Sequence, residues 1–155
     1  MEIERKYLVA SLPEGLEGFP HTEIEQSYLC TSPTLRVRRM GDDYILTVKE
    51  HLREDSSAIH NREEEFSLTR DSYLKLRSKC EGRTVQKTRY RIPLADGLTA
   101  ELDIFHGDHE GLLLVEVEFP STEVADRFVP PAWFGIDVSL DPHYRNSFLA
   151  SPVVG

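Results

Sequence analysis

The chain has 155 residues, of which 39% are hydrophobic and 29% charged, a composition that excludes a disordered protein and fits one globular domain. The formal net charge of −9 argues against a nucleic-acid-binding protein, because phosphate backbones are bound by cationic surfaces. The sequence is charged from its second residue, no apolar run approaches the ~18 residues of a membrane span, and Cys30 and Cys80 form no metal-ligand pattern, so we expect a cytoplasmic protein with reduced thiols.

Alternation of apolar and charged residues predicts eight β-strands, because residues i and i+2 share one face of a strand. The predicted strands cover residues 2–9, 22–30, 34–40, 43–50, 62–68, 84–93, 98–106 and 111–119. The turns at 41–43 and 96–97 predict two β-hairpins. Residues 51–61 lack a periodic pattern and are predicted to form a loop.

Helical spacing predicts short helices over residues 70–77 and 121–128, with Asp71 and Ser121 as their N-caps. A third short helix is predicted over 144–149. The sequence shows no internal repeat and no second domain, so residues 1–155 are expected to form one domain.

Most of the predicted strands have one face of fixed charge, with each sign of charge grouped by strand. The charged pairs are Glu2 and Glu4, Arg36 and Arg38, Glu63 and Glu65, Lys87 and Arg89, Glu101 and Asp103, and Glu116 and Glu118. An ordinary solvated sheet explains any one of these strands, but their recurrence favours a barrel with the charged face inward. The sequence therefore predicts a mainly β (α+β) protein, an eight-stranded antiparallel β-barrel with a few short helices outside and at one end. Such an interior suits metal ions and a substrate made mostly of phosphate.

The opening segment Glu2-Ile3-Glu4-Arg5-Lys6 resembles the Glu-x-Glu-x-Lys signature of the CYTH superfamily, the triphosphate tunnel metalloenzymes. Further segments with this resemblance lie at 35–38, 47–49, 63–65, 85–90, 101–105, 115–119 and 138–146. The chain resembles a compact bacterial-type inorganic triphosphatase of this superfamily. The resemblance implies an eight-stranded antiparallel tunnel that hydrolyses or rearranges triphosphates with a divalent metal.

Two positions depart from the family pattern. The family often has an inward Arg before the Glu-x-Glu of the fifth strand, whereas here Asn61 has that phase and Arg62 falls on the other face. Phe66 indicates that Glu63 and Glu65 point inward, because an inward Arg62 and Glu64 would place the Phe66 ring inside the tunnel. Arg145 stands where a Lys is common, which keeps the charge but replaces a point charge with a planar fork.

The acidic residues are assigned first to metal binding, because two like charges ~4 Å apart repel by about 4 kcal/mol at an effective dielectric near 20. Oxygen ligands favour Mg²⁺ or Mn²⁺ over softer metals. The predicted ligands are Glu2, Glu4, Asp103, Glu116 and Glu118. Glu101 either completes a second metal position or pairs with a neighbouring Arg. Glu63 and Glu65 either orient the basic residues or contact metal.

The basic residues are expected to bind phosphate oxygens. This predicted substrate-binding set contains Lys6, Arg36, Arg38, Lys49, Lys87, Arg89 and Arg145. Arg91 shares their face but lies further along its strand, where structural pairing is favoured over substrate contact.

The expected reaction is attack by water on a terminal phosphorus, without a covalent intermediate. Catalytic roles are predicted for Lys87, Tyr28, Glu4 and Glu116. A Tyr28 phenol beside Lys87 would take a proton from water; the alternative is a structural hydrogen bond within the barrel.

The leading hypothesis is hydrolysis of inorganic triphosphate to diphosphate and phosphate, because no aromatic pair on the charged face indicates a base-stacking platform. The alternatives are adenylate cyclase, a triphosphatase for polyphosphate, thiamine triphosphate or nucleoside triphosphate, and a non-catalytic polyphosphate-binding module. The expected partner is a small-molecule triphosphate, with no nucleic acid and no membrane, and a homodimer is left open.

Overall fold

The computed structural model describes residues 2–52 and 58–151. Within these residues the strands are β1 (Glu2–Val9), β2 (His21–Thr31), β3 (Thr34–Met40), β4 (Asp43–His51), β5 (Ile59–Leu68), β6 (Glu81–Pro93), β7 (Thr99–His106), β8 (Leu113–Glu118) and β9 (Phe134–Asp137). The α-helices are α1 (Arg70–Arg77), α2 (Thr122–Arg127) and α3 (Asn146–Leu149). None of the helices in this part of the chain has the length and apolar character that a membrane span requires.

Antiparallel pairing joins the strands in the order β5-β4-β3-β2-β6-β7-β8-β1, and β1 pairs with β5 to close the barrel. The free edge of β1 is shared, because Glu2 to Glu4 pair with β5 whereas Tyr7 and Val9 pair with β9. In the closed ring β3 lies on the opposite side from β8. Side chains that point inward from these two strands therefore face each other across the lumen.

The main apolar core lies outside the barrel wall. Its buried residues are Ile3, Tyr7, Ala58, Ile92, Ala100, Leu102, Val115, Val117, Phe119, Ala125 and Phe134. On the strands these positions alternate with the charged residues, so they occupy the outer face. Because β9 and the segment around α2 cover this face, the fold buries its apolar surface without filling the barrel interior.

A second apolar cluster lies at one end of the barrel. Its buried members are Tyr28, Val85, Phe105, Leu114, Val138, Leu149 and Ala150. Phe105 and Leu114 have the same strand phase as Asp103 and Glu116, so they continue the inward face to the end that α3 covers. The backbone N–H and the Nε of Arg83 donate to the carbonyls of Ala150 and Ser151 and hold this segment against β6.

The predicted barrel is confirmed, and every predicted strand boundary lies within three residues of the observed one. The prediction missed β9 and placed the start of β5 three residues late. The predicted loop at 51–61 is wrong at both ends, because His51 belongs to β4 and Ile59 begins β5. The rest of that prediction includes residues 53–57, which lie outside the described residues.

The predicted helices are present, but one of the two predicted N-caps is wrong. Ser121 caps α2, because its side chain accepts a hydrogen bond from the Val124 N–H. Thr69, and not Asp71, caps α1 by accepting from the Ser72 N–H. Asp71 lies inside the first turn, where its charge favours the helix dipole instead. The predicted helix at 144–149 is a 3₁₀ turn, Pro142–Tyr144, followed by α3.

Candidate active site

The barrel lumen contains two adjoining cavities of about 360 and 280 Å³. Both are lined by Glu4, Arg36, Lys49, Glu116 and Asn146, which makes them parts of one tunnel. In the smaller part, Met40 is the one apolar residue in the lining that the described chain supplies. The smaller part is therefore a polar, strongly charged space rather than an apolar ligand pocket.

Most of the predicted site residues line this tunnel. The lining includes Glu2, Glu4, Lys6, Tyr28, Arg36, Arg38, Lys49, Glu63, Glu65, Arg89, Glu101, Glu116, Glu118 and Arg145. Lys87 and Asp103 are buried just behind the lining. Arg91 lies apart and donates a 3.1 Å hydrogen bond to the hydroxyl of Thr22.

On β6 and β7 the inward charges form a closed network. Asp103 accepts from Arg89 Nε and Nη2 at 2.8 and 3.0 Å and contacts Lys87 Nζ at 2.8 Å. Glu101 contacts Arg89 Nη1 at 3.2 Å. Burial acts to raise the pKa of Asp103, but Arg89 and Lys87 outweigh it and hold that pKa below its usual value. Both carboxylate oxygens of Asp103 are therefore occupied by cations.

Lys87 is the most enclosed cation of the site. Its Nζ donates to Asn146 Oδ1 at 3.3 Å and lies 5.4 Å from the centre of the Phe105 ring. Burial lowers the pKa of Lys87 to about 7, although Asp103 opposes the shift. The Tyr28 hydroxyl accepts a 3.2 Å hydrogen bond from Gln26 Nε2, so its described contact is with Gln26 rather than with Lys87.

Two further lysines are paired with carboxylates. Lys6 Nζ lies 3.2 Å from Glu116 Oε1 and donates to the Tyr144 carbonyl at 2.9 Å. Burial acts to raise the pKa of Glu116, but Lys6 and other cations outweigh it and lower that pKa. Lys49 Nζ lies 3.0 Å from Glu2 and 3.5 Å from Glu63.

Arg36 is the exception among the cations. It is 7% exposed, makes no hydrogen bond or ion pair with the described residues, and its Nε is buried without a partner. Its neighbour Arg38 contacts Glu65 at 3.4 Å, while the Arg38 Nε is also buried without a partner. Because a buried donor without an acceptor costs free energy, these guanidinium groups are positioned for an anion that the described residues do not supply.

Glu4 is the matching exception among the acids. It is 8% exposed and has neither a hydrogen bond nor an ion pair within residues 2–52 and 58–151. Burial, the nearby Glu116 and then Glu2 raise the pKa of Glu4 to about 8. Burial and Glu2 also raise the pKa of Glu118, which pairs in register with Glu4 on the adjoining strand.

These carboxylates fit a hard divalent cation by their chemistry. Glu2, Glu4, Glu116 and Glu118 all lie on β1 and β8 and supply oxygen donors, and a cation would remove the repulsion that raises the pKa of Glu4. Within the described chain no group of three or more His, Cys, Asp or Glu is already arranged to hold a metal.

The sequence did not assign a role to two amides that the structure brings into the site. Asn61 is 4% exposed and donates from Nδ2 to Glu2 Oε1 at 3.4 Å, so it orients a carboxylate where the family often has a cation. Asn146 reaches the lumen from α3. Strand periodicity cannot assign a residue on a helix at the end of a barrel to the lumen, so Asn146 was noted only within the segment 138–146 that resembles the family, without a role.

Comparison of this chain with a family model, with other protein sequences and with solved structures found matches of each kind. Residues 1–126 match the model of the CYTH domain. An inorganic triphosphatase of Nitrosomonas europaea is 42% identical over 154 residues, covering 96% of each chain. An inorganic triphosphatase of Acetivibrio thermocellus is 32% identical, covering 96% of this chain and 92% of its own. A crystal structure of an inorganic triphosphatase matches with a TM-score of 0.72 at 39% identity, covering 100% of this chain and 97% of that one.

Proposed function

The chain belongs to the CYTH family, and we propose that it hydrolyses inorganic triphosphate to diphosphate and phosphate with a divalent cation, Mg²⁺ or Mn²⁺. One structural observation carries the proposal: Arg36 and Glu4 are buried in the same lumen, and neither has a hydrogen-bond or ion-pair partner among residues 2–52 and 58–151. An anion and a cation bound together would pair with both groups.

The substrate would lie along the cationic wall of the tunnel. Arg36 and Arg38 have unused guanidinium donors, which suit phosphate oxygens because the planar fork binds two oxygens at once. Lys49, Lys6 and Arg89 complete the positive charge around the lumen. Apart from Met40, the lining of the smaller cavity is polar or charged, which favours a highly charged substrate over an apolar one.

The acidic wall would hold the cation through Glu2, Glu4, Glu116 and Glu118. When bound, a divalent cation polarises phosphate oxygens and offsets their charge. Asp103 was predicted as a further ligand, but its oxygens are engaged by Arg89 and Lys87 at 2.8–3.0 Å. We therefore favour an orienting role for Asp103, in which it fixes these two cations relative to the substrate.

Hydrolysis requires an acceptor for the proton of the attacking water. Lys87 can hold or release a proton at Nζ near neutral pH, because burial lowers its pKa to about 7. Tyr28 lines the larger cavity and stays a second candidate. The negative charge that moves to the leaving diphosphate would be stabilised by Arg36 and Arg38.

A phosphate-release assay across substrates tests the proposal. Purified protein is given triphosphate, diphosphate, long-chain polyphosphate, thiamine triphosphate or ATP, with Mg²⁺, Mn²⁺ or EDTA, and the ATP reactions are also analysed for cyclic AMP. We expect triphosphate to give the highest kcat/KM and EDTA to abolish turnover. Formation of cyclic AMP without phosphate release, or tight triphosphate binding with no turnover under either metal, would contradict it. A cytoplasmic location and the absence of nucleic-acid partners stay predictions from the sequence.

A further inference from the structure

The C-terminal segment contributes to the tunnel although it lies outside the barrel strands. Asn146, the first residue of α3, lines both cavities, and its Oδ1 accepts from Lys87 Nζ at 3.3 Å. Two residues earlier, the Tyr144 carbonyl accepts from Lys6 Nζ at 2.9 Å. This segment follows the part of the chain that matches the CYTH domain, which ends at residue 126.

We propose that Asn146 is a positioning residue, which holds Lys87 Nζ in the orientation that triphosphate hydrolysis requires. The proposal rests on the proposed function, because it assigns Asn146 to that reaction through Lys87.

The contacts of Lys87 show why a second acceptor is needed. Its long, flexible side chain is fully buried, and Asp103 at 2.8 Å is the carboxylate that holds it. Asp103 is shared with Arg89, so it attracts the ammonium group toward the wall rather than toward the lumen. To accept the proton of water, Lys87 must be the neutral amine, which has two N–H donors and one lone pair. With Asp103 accepting from one donor and Asn146 from the other, the lone pair has a fixed direction.

The choice of a neutral acceptor follows from the substrate. A carboxylate at position 146 would bind Lys87 more strongly, but it would add negative charge to the lining of a cavity that receives a polyanion. An amide oxygen holds the ammonium group without that repulsion. Lys6 likewise has one neutral acceptor, because its Nζ donates to the Tyr144 carbonyl in addition to its ion pair with Glu116.

The attachment of α3 to the barrel does not depend on the Asn146 side chain. The Arg83 Nε donates to the Ser151 carbonyl at 2.9 Å, and His109 Nε2 lies 2.6 Å from the Leu149 carbonyl. Leu149 and Ala150 are buried in the apolar cluster at this end of the barrel. Replacing the side chain of Asn146 should therefore leave the helix in place.

The test compares Asn146→Ala, Asn146→Asp and the control His143→Ala, which changes an exposed residue of the same segment. Three quantities are measured: kcat and KM for triphosphate with Mg²⁺, the Kd of an imido-bridged triphosphate analogue by calorimetry, and the melting temperature without ligand. We expect Asn146→Ala to lower kcat by about 10- to 100-fold, because a displaced catalytic group costs a factor of this size. Its Kd for the analogue should stay within about threefold of wild type, because Asn146 is proposed to act through Lys87 and not by contact with the substrate. A tenfold change in Kd would correspond to about 1.4 kcal/mol.

Asn146→Asp should behave differently, because it keeps the acceptor and adds a charge. We expect its Kd for the analogue to rise by about tenfold or more, while His143→Ala matches wild type in all three measurements. The isosteric Asp variant also provides a result if the Ala variant is poorly folded.

Two results would overturn the proposal. Wild-type kcat and Kd in both Asn146 variants would remove the residue from the site, and a fall in kcat that tracks a fall in melting temperature in both would show a purely structural role. Failure of the proposed function looks different, because wild-type protein would then bind the analogue without hydrolysing triphosphate.

Discussion

Two sides of the tunnel lining balance their charges in different ways. On β6 and β7, Lys87 and Arg89 are neutralised by Asp103 at 2.8 Å, and Glu101 adds a contact at 3.2 Å. Across the described lining of β1 and β3, Glu4 and Arg36 have neither a hydrogen bond nor an ion pair. Both sides have charges of both signs, but among the described residues Lys87 and Arg89 are paired with acids, whereas Glu4 and Arg36 are not paired.

This difference separates stability from ligand binding. A buried charge that loses its partner destabilises a fold by several kcal/mol, so a change on the paired side should act mainly on folding. A change on the unpaired side removes a group that has no hydrogen-bond or ion-pair partner in the described part of the chain. It should therefore act mainly on the binding of metal and triphosphate.

Asp103→Asn should have the largest effect on stability, because it leaves Lys87 and Arg89 buried without a counter-charge. We expect a loss of about 3–5 kcal/mol in the free energy of unfolding, measured by chemical denaturation without metal. Glu101→Gln is the control on the same strand, where the half-buried acid makes one contact with Arg89, and it should cost less than about 1 kcal/mol. Equal losses of stability in the two variants would contradict the claim that Asp103 is the main counter-charge of Lys87 and Arg89.

Glu4→Gln should abolish activity and leave the fold intact. We expect phosphate release from triphosphate to fall by about 100-fold or more. Even the mutation of a residue that contacts a metal ligand, and not the metal, lowers metal affinity or activity about 10- to 100-fold. The control is Glu64→Gln, an exposed acid on the outer face of β5, which should keep wild-type activity. A Glu4→Gln protein with normal turnover would exclude this carboxylate from the reaction.

The same variant should change how stability depends on pH. Glu4 keeps its proton up to its folded pKa of about 8, whereas the unfolded chain loses it near the ordinary value of 4.5. The folded state binds more protons between these values, so this group makes metal-free protein less stable as pH rises from 4.5 to about 8. Denaturation at pH 5 and pH 8 should show a smaller fall in Glu4→Gln than in wild type, and identical falls would contradict the assignment.

Glu65→Gln should have the smallest effect. Its contact with Arg38 is 3.4 Å long and its side chain is 44% exposed, so water already screens the pair. We expect a stability change below about 1 kcal/mol and a KM for triphosphate within about threefold of wild type. A large rise in KM would place Glu65 in the binding site itself.

The sequence predicted most of the barrel because the signal was local. The period of two in runs such as Glu2–Val9 follows from the strand itself, and the side chain of Phe66 was enough to decide which face of β5 points outward. Phe66 is indeed 52% exposed, whereas Asn61 in the opposite phase is buried. Charge grouped by strand was the second local signal, and it indicated the inward face.

The features that escaped prediction depend on contacts between distant parts of the chain. β9 is four residues long and exists because it pairs with the edge that β1 leaves free beyond β5. Phe105 and Leu114 have the sequence pattern of ordinary apolar strand residues, although they belong to the apolar cluster that includes Leu149 of α3. Whether an acid is paired or unpaired depends on side-chain packing, so the sequence placed Asp103 and Glu4 in one group and the structure separates them.

Binding of the triphosphate analogue to Arg36→Met and Arg39→Met is the most direct test of the central claim. Arg36 is buried and faces the lumen, while Arg39, three residues along the same strand, is exposed. Calorimetric titration with Mg²⁺ should show at least about tenfold weaker binding to Arg36→Met, since a hydrogen bond to a charged group contributes about 1.5–3 kcal/mol. Arg39→Met should bind as wild type does. Equal affinity in wild type, Arg36→Met and Arg39→Met would contradict the claim that the unpaired charges of the lumen are the triphosphate-binding site.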